Sequence, residues 1–238
     1  MTQHPITNRN DWLLQRKALL EKEKALLRAR DELAAARRSL PWVPVEKSYV
    51  FDGPNGKESL GELFGPRSQL IVYHFMFAPE ADAGCKHCSF WADNWLAAIE
   101  HLKARDVTLL AVSRAPLAKL EAFKRRLGWT FKWVSSGQSD FNYDFQVSFR
   151  EAEREAGRAI YNYAPLPAGR PPDMPGFSVF YRNTAGAVFH TYSTFARGIE
   201  LANTTYQLLD LVPKGRDEAG LPYPMSWVRF HDEYPQSA

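Results

Sequence analysis

Cys85 and Cys88 are the only cysteines among the 238 residues, and the pentapeptide that holds them, Gly84-Cys85-Lys86-His87-Cys88, lies between an unbroken apolar run and a stretch of helical periodicity. Two sulfurs three residues apart can join without moving the backbone when the residues between them form the first turn of a helix. The spacing therefore predicts a strand, a loop and a helix N-terminus in that order. The preceding run QLIVYHFMF (69–77) reads as a buried strand. The segment from Cys85 to Lys103 reads as a helix whose inward stripe is Trp91, Trp95, Ile99 and Leu102, and VTLLAVS (107–113) as the next strand. Strands that are apolar throughout belong to a sheet covered on both faces and at least partly parallel.

The rest of the chain extends this alternation. Pro116 opens a helix with Leu117, Leu120, Phe123 and Leu127 at helical spacing, and the aromatic run WTFKWV (129–134) follows as a strand. Residues 136–176 hold five prolines, four glycines and the aromatic clusters FNYDF and IYNYAP, which is too much chain for an ordinary connection and marks an insertion or lid. FSVFYR and AVFHTY then form two strands joined through Asn183-Thr184-Ala185-Gly186, before a last helix over about 198–212. At the other end, residues 11–38 contain no Gly or Pro and repeat Trp12, Leu19, Leu26 and Leu33 every seven residues, beside Leu13, Leu20, Leu27 and Ala34. That is one long amphipathic helix, whose stripe either packs along its own domain or lines a homodimer seam. Pro41 ends it, and Tyr49-Val50-Phe51 before the turn-rich Asp52-Gly53-Pro54-Asn55-Gly56 suits a small hairpin. The expected organisation is a helical extension over 1–45 and one domain over 46–238. The expected fold class is α/β: a thioredoxin-like mixed sheet flanked by helices, with a long N-terminal helix and an insertion before the last two strands.

Charge and hydropathy remove several functions. Thirty Lys+Arg against 27 Asp+Glu, spread along the chain, leave a formal net charge of +3 and no basic face for nucleic acid. No run approaches the roughly 18 apolar residues of a membrane span, and charges interrupt the N-terminal leucines, so neither a membrane partner nor a secretory leader is expected. A cytoplasmic setting is the default, in which a cysteine pair is catalytic, redox-sensing or metal-binding rather than a structural staple.

At a helix start, unpaired N–H groups and the positive end of the dipole favour a thiolate at Cys85, whereas Cys88 lies one turn inside. Cys85 is thus the expected nucleophile and Cys88 the resolving thiol, with Lys86 and His87 as positive charges that tune the thiolate. A thiol of pKa near 8.5 is about 3% ionised at pH 7, and one shifted to about 7 is half ionised. Stabilising the reduced thiolate makes the disulfide more oxidising, so a potential above that of thioredoxin is expected. Zinc is the rival, and would need two ligands from His74, His87, His101 and His190; no second paired motif completes such a site. Covalent haem is excluded because Ser89, not His, follows Cys88. No cofactor is called for. Three further positions join the candidate site. Pro175, in Met174-Pro175-Gly176, sits where this fold places a cis proline beside the disulfide; with a cis bond there, Met174 would offer its backbone to an extended substrate. His74 is a candidate proton carrier for Cys88, with Tyr73 and Phe75 on the opposite strand face. Trp91 is the aromatic nearest the thiols.

The blocks LPWVPVEKSYVFDGPNGKESLGELF, RSQLIVYHFMF, GCKHCSFWADNW, DVTLLAVSRAPLAKLEAFKRRLGWTFKWVSS, DFNYDF, SVFYRN, VFHTYSTFARG and PMSWVRFHDEY resemble, over nearly the whole chain, the bacterial proteins grouped as domain of unknown function 899. The resemblance implies a thioredoxin-like fold and a dithiol-disulfide oxidoreductase with its redox pair at Cys85 and Cys88. It names no physiological substrate. In the family pattern Pro-Ser often stands between the cysteines; here Lys86-His87 keeps the dithiol and changes the charge beside it.

The sequence therefore predicts an enzyme that exchanges electrons with a protein or small-molecule disulfide and is reset by a separate redox partner. A peroxiredoxin-like thiol peroxidase is the second reading, weakened because Asp82 stands three residues before Cys85, where those proteins carry Thr. A non-enzymatic redox or zinc-dependent interaction module is the third.

Overall fold

The structure, a computed structural model, describes residues 4–235. The chain separates into two compact units, Met1–Pro41 and Trp42–Ala238. The first is helix α1 (Arg9–Arg38), whose N-cap Asn8 accepts the amide hydrogens of Asn10 and Asp11. None of its residues is buried, and Leu19, Leu26 and Leu33 are half exposed or more. No helix among the described residues is long and apolar enough to cross a membrane.

The second unit is built on an eight-stranded mixed sheet. Its strands are β1 (Val43–Pro44), β2 (Val50–Gly53), β3 (Gly56–Ser59), β4 (Gln69–His74), β5 (Val107–Ser113), β6 (Trp133–Ser135), β9 (Gly176–Arg182) and β10 (Val188–Phe195). They lie in the order β1-β10-β9-β4-β5-β6-β2-β3. The pairs β4/β5 and β5/β6 are parallel and the rest antiparallel. This is the thioredoxin-like order expected: a parallel centre made by strand-helix-strand connections, closed on one side by a returning hairpin.

Alternation in the central strands divides the core. Tyr73, Leu109, Ala111 and Trp133 face one side, with α3 (Lys86–Trp95) and α5 (Leu117–Arg126). Leu70, Val72, Leu110, Val112 and Phe180 face the other, against α2 (Leu60–Leu63) and the short α6 (Phe141–Asp144). Ser59 and Glu62 close a reciprocal capping box at the start of α2.

The elements differ from the sequence expectation chiefly at their ends. Strand β4 stops at His74, and Phe75 and Phe77 continue as buried loop residues. The helix expected from Cys85 to Lys103 is broken by a 3-10 turn, Leu96–Ala98, before α4 (Ile99–Lys103). Of WTFKWV, only Trp133 and Val134 join a strand; Trp129 and Phe131 are buried packing residues outside it. The last helix is a 3-10 segment, Ala196–Ala202, followed by α8 (Thr204–Leu209). The insertion folds as α6, α7 (Glu151–Glu155) and a two-stranded hairpin of β7 (Ile160–Tyr161) and β8 (Ala164–Pro165). Asn162 and Tyr163, both at positive φ, make its two-residue turn.

His74 is buried on the face away from the dithiol. Its Nε2 lies 2.8 Å from Ser178 Oγ, which meets Ser193 Oγ at 2.9 Å, which in turn meets His190 Nε2 at 2.8 Å. Its ring lies against Phe141 and Phe145, and Nδ1 has no hydrogen-bond partner. Burial, with the nearby His190 charge, pushes its pKa down to about 3. The folded chain therefore refuses a proton that the unfolded chain accepts below its ordinary pKa near 6.5. Stability is full above that pH and falls as pH drops toward 3. Between pH 6.5 and 4 this amounts to about 3 kcal/mol. Unfolding free energies from urea titrations at pH 7 and pH 4 are expected to differ by that much more in the wild type than in His74→Gln; equal pH slopes in the two proteins would discount the burial argument.

Candidate active site

The chain leaves β4 at His74, runs through an Ala/Asp/Gly loop and enters α3 at Lys86, so that Cys85 is the N-cap. Two backbone bonds fix this corner: the Cys85 amide donates to Met76 O at 3.0 Å and the Ser89 amide to Cys85 O at 2.9 Å. Gly84 is required by packing, since a Cβ there would stand 2.8 Å from Phe75 Cε1 and 2.9 Å from Phe123 Cε1. Cys85 is partly exposed and Cys88, one turn on, is 2% exposed; both are free thiols.

The two sulfurs are poised oppositely. Hydrogen bonding from Cys88 holds the Cys85 thiol well below its ordinary range; burial opposes this, and the His87 ring supports it. Burial raises Cys88 well above its ordinary range, helped by the neighbouring Cys85. Cys88 Sγ accepts the Met76 amide at 3.4 Å. His87 donates from Nε2 to Met225 O at 3.2 Å, which ties the first turn of α3 to the C-terminal segment. His87, not Lys86, is the cationic side chain among the leading influences on Cys85.

Both thiols open into a cavity of about 590 Å³. Tyr73, Met76, His87 and Trp91 line it from the sheet side and α3; Tyr161, Leu166 and Arg170 come from the insertion, and Ile199 and Met225 from the C-terminal part. The Tyr161 hydroxyl donates to Pro175 O at 2.8 Å and accepts the Ala196 amide at 2.8 Å, pinning the hairpin to the wall beside the thiols. Trp91 donates from Nε1 to Ile199 O at 2.9 Å. Tyr73 is fully buried, its hydroxyl has no hydrogen-bond partner at normal geometry, and Cys88 acts on its ionisation more than any other side chain does.

Of the residues singled out from the sequence, Cys85, His87, Cys88, Trp91, Met174 and Pro175 meet around this cavity; Lys86 and His74 do not. His74 is turned away because adjacent strand residues face opposite sides, and Tyr73 takes the place beside Cys88. The expectation of a cis proline is corrected: among the described residues no peptide bond is cis, Pro175 included. Nor is Met174 free to offer its amide, which donates to Val147 O at 2.8 Å. Among the described residues no three His, Cys, Asp or Glu side chains stand close enough to hold a metal ion. Sequence reasoning missed Tyr73, Tyr161, Arg170, Ile199 and Met225. The strand alternation pointed to Tyr73 and the IYNYAP cluster to Tyr161; nothing local in the sequence marks the other three.

A family model described as "Bacterial protein of unknown function (DUF899)" matches residues 1–234. No curated protein matches the chain. Among solved structures it is similar to peroxiredoxin Q of Xanthomonas campestris, with 13% identity, a TM-score of 0.48, and 71% of this chain and 94% of that one covered. It is also similar to the peroxidoxin BcpB of Mycobacterium tuberculosis, with 11% identity, a TM-score of 0.45, and 71% and 92% covered. An uncharacterised thioredoxin-like protein from Porphyromonas gingivalis shares 17% identity at a TM-score of 0.40, with 75% and 94% covered.

Proposed function

The chain belongs to the bacterial DUF899 family, and from that premise we propose that it is a thiol-disulfide oxidoreductase in which Cys85 attacks and Cys88 resolves. The observation that carries this reading is the opposite poise of two thiols one helical turn apart on the floor of a cavity. The Cys85 thiolate attacks one sulfur of a substrate disulfide, forming a mixed disulfide and releasing the other sulfur as a thiolate. That thiolate takes the Cys88 proton, and Cys88 then attacks Cys85 Sγ. The second substrate sulfur leaves, the substrate has gained two electrons, and the protein holds a Cys85–Cys88 disulfide. Tyr73, beside Cys88, is suited to hold negative charge on that sulfur while it is deprotonated.

The reading is tested by titrating the protein in defined glutathione buffers, scored by alkylation and intact mass. Both thiols are expected to convert together to one intramolecular disulfide, with a potential between about −270 and −120 mV. Thiols that stay reduced across that range, or that pair only between molecules, would remove the reading.

The same poise predicts selective alkylation. At pH 6 Cys85 is expected to react with iodoacetamide while Cys88 stays unmodified, and the reactivity of Cys85 should fall only as pH drops below its depressed pKa. Replacing Lys86-His87 by Pro-Ser raises that pKa and moves the fall in rate to higher pH, because the ring that supports the thiolate is gone. A pH-rate curve that the exchange leaves in place would refute the role of His87.

A further inference from the structure

We infer that the partner of the dithiol is a low-molecular-weight disulfide or thiol with an apolar body and an anionic end, and that Arg170 selects it; this rests on the oxidoreductase reading above. The cavity of about 590 Å³ falls in the range of pockets that hold small ligands. Its walls offer little to an extended peptide, which would need a free strip of main chain to pair with. Pro165, Pro167, Pro171 and Pro175 all line it, and none has an N–H. The Met174 amide is spent on Val147 O, Pro175 O is taken by Tyr161, and β7 and β8 pair with each other. What remains is side-chain surface: Met76, Trp91, Leu166, Ile199 and Met225.

Among the titratable side chains of the wall beyond the two thiols, Tyr161, His87, Arg197 and Glu200 already have partners, and two groups are without one: the Tyr73 hydroxyl and the Arg170 guanidinium. The Tyr73 hydroxyl, fully buried and without a partner at normal hydrogen-bond geometry, stands at the sulfur end. Arg170 belongs to the exposed part of the insertion, its carbonyl accepting from Arg154 Nη2 at 2.7 Å. Its guanidinium pairs with no acidic side chain among the described residues. The other arginine of the wall, Arg197, is tied to Glu200 with Nε–Oε1 at 3.0 Å, and Glu200 also meets Arg216. His87 is engaged with Met225 O and with the Cys85 thiolate, so Arg170 is the cationic side chain of the wall left to meet an anion. A ligand that reaches from Cys85 to Arg170 carries its sulfur at one end, apolar carbons between, and a carboxylate or similar group at the other.

Exchange with such a ligand is balanced in either direction. A dithiol ligand entering the oxidised protein attacks Cys85 Sγ as a thiolate and breaks the Cys85–Cys88 bond, and Cys88 leaves and takes a proton. The ligand's second thiol then closes its own disulfide, expelling Cys85 as a thiolate. Dihydrolipoate and its neutral amide, dihydrolipoamide, differ only in the charged end and serve as probes. The full-length oxidised protein is expected to react about fivefold faster with the acid than with the amide, the size of a partly exposed ionic contact, and salt should shrink the ratio. Arg170→Ala is expected to bring the ratio to about one, and Arg170→Glu to invert it. Equal rates for acid and amide in the wild type, or a ratio unchanged by Arg170→Glu, would overturn the inference. Calorimetric binding of lipoate to the Cys85→Ser/Cys88→Ser protein separates the two readings. Binding there that depends on Arg170, without electron exchange by the wild type, supports the ligand class and removes the oxidoreductase. Electron exchange without discrimination does the reverse.

Discussion

Cys85→Ser is expected to lose disulfide turnover by on the order of a thousandfold or more, because a hydroxyl at this N-cap cannot replace a stabilised thiolate as nucleophile. Cys88→Ser should behave differently. Its first attack proceeds and its second does not, so the protein accumulates as a mixed disulfide with one equivalent of substrate thiol released. Intact mass after a single addition of substrate distinguishes the variants: an added substrate fragment on Cys88→Ser and none on Cys85→Ser. The reverse pattern would assign the nucleophile to the buried sulfur, against the poise of the two groups, Cys85 depressed by hydrogen bonding from Cys88 and by His87, Cys88 raised by burial. A further comparison isolates Tyr73. With Tyr73→Phe the resolving step is expected to slow more than the first step, since the phenol interacts with Cys88 more strongly than with Cys85.

Asp173→Ala is expected to destabilise the fold by about 3 kcal/mol, as removing one partner of a largely buried ion pair does. Arg114 at the end of β5 donates from Nε and Nη2 to the two Asp173 oxygens at 2.8 and 3.0 Å. The side chains are 14% and 9% exposed. Ser148 adds a hydrogen bond to Asp173 at 2.6 Å. Without the carboxylate, the guanidinium keeps its partly desolvated position with no counter-charge, and the segment that carries Met174 and Pro175 loses its tie to the sheet. A chain of this size should melt about 6–12 °C lower. Asp232→Ala, which breaks the more exposed Arg126–Asp232 pair, should cost much less. Equal losses in the two variants would show that burial does not set the value of the Arg114–Asp173 pair. Because Asp173 precedes the cavity wall, its loss should also raise the KM for small substrates.

Periodicity carries information about elements that are long and face the core, and this is where the sequence was most legible. VTLLAVS marks β5 to both of its ends because both faces of that strand are covered. The strand before Cys85 and the amphipathic stripe after it mark the helix start that Cys85 caps. What failed depends on tertiary packing. WTFKWV has the composition of a strand, yet Trp129 and Phe131 fill the space between α3, α5 and the sheet and leave only the end of the run to pair. The place of Pro175 before a strand suggests a substrate-facing proline, but the Met174 amide is engaged by Val147 O next to a bridge between Ser148 and Asp173 that no local pattern announces. Arg170 and Met225 join the wall of the thiol cavity from positions 85 and 140 residues beyond Cys85. Such distant contacts are visible only once the insertion and the C-terminal segment have closed over α3.

The borders of the sheet bear on how the protein survives at high concentration. Each outermost strand could recruit a strand from another molecule, but both are poor templates. β1 is two residues long and ends in Pro44, which has no hydrogen to donate. β3 carries Lys57 and Glu58 side by side and passes directly into α2. A neighbour aligning on either border would find a short register, a missing donor or charged side chains already paired within the sheet, so the eight strands end as a closed unit rather than the first layer of a fibre.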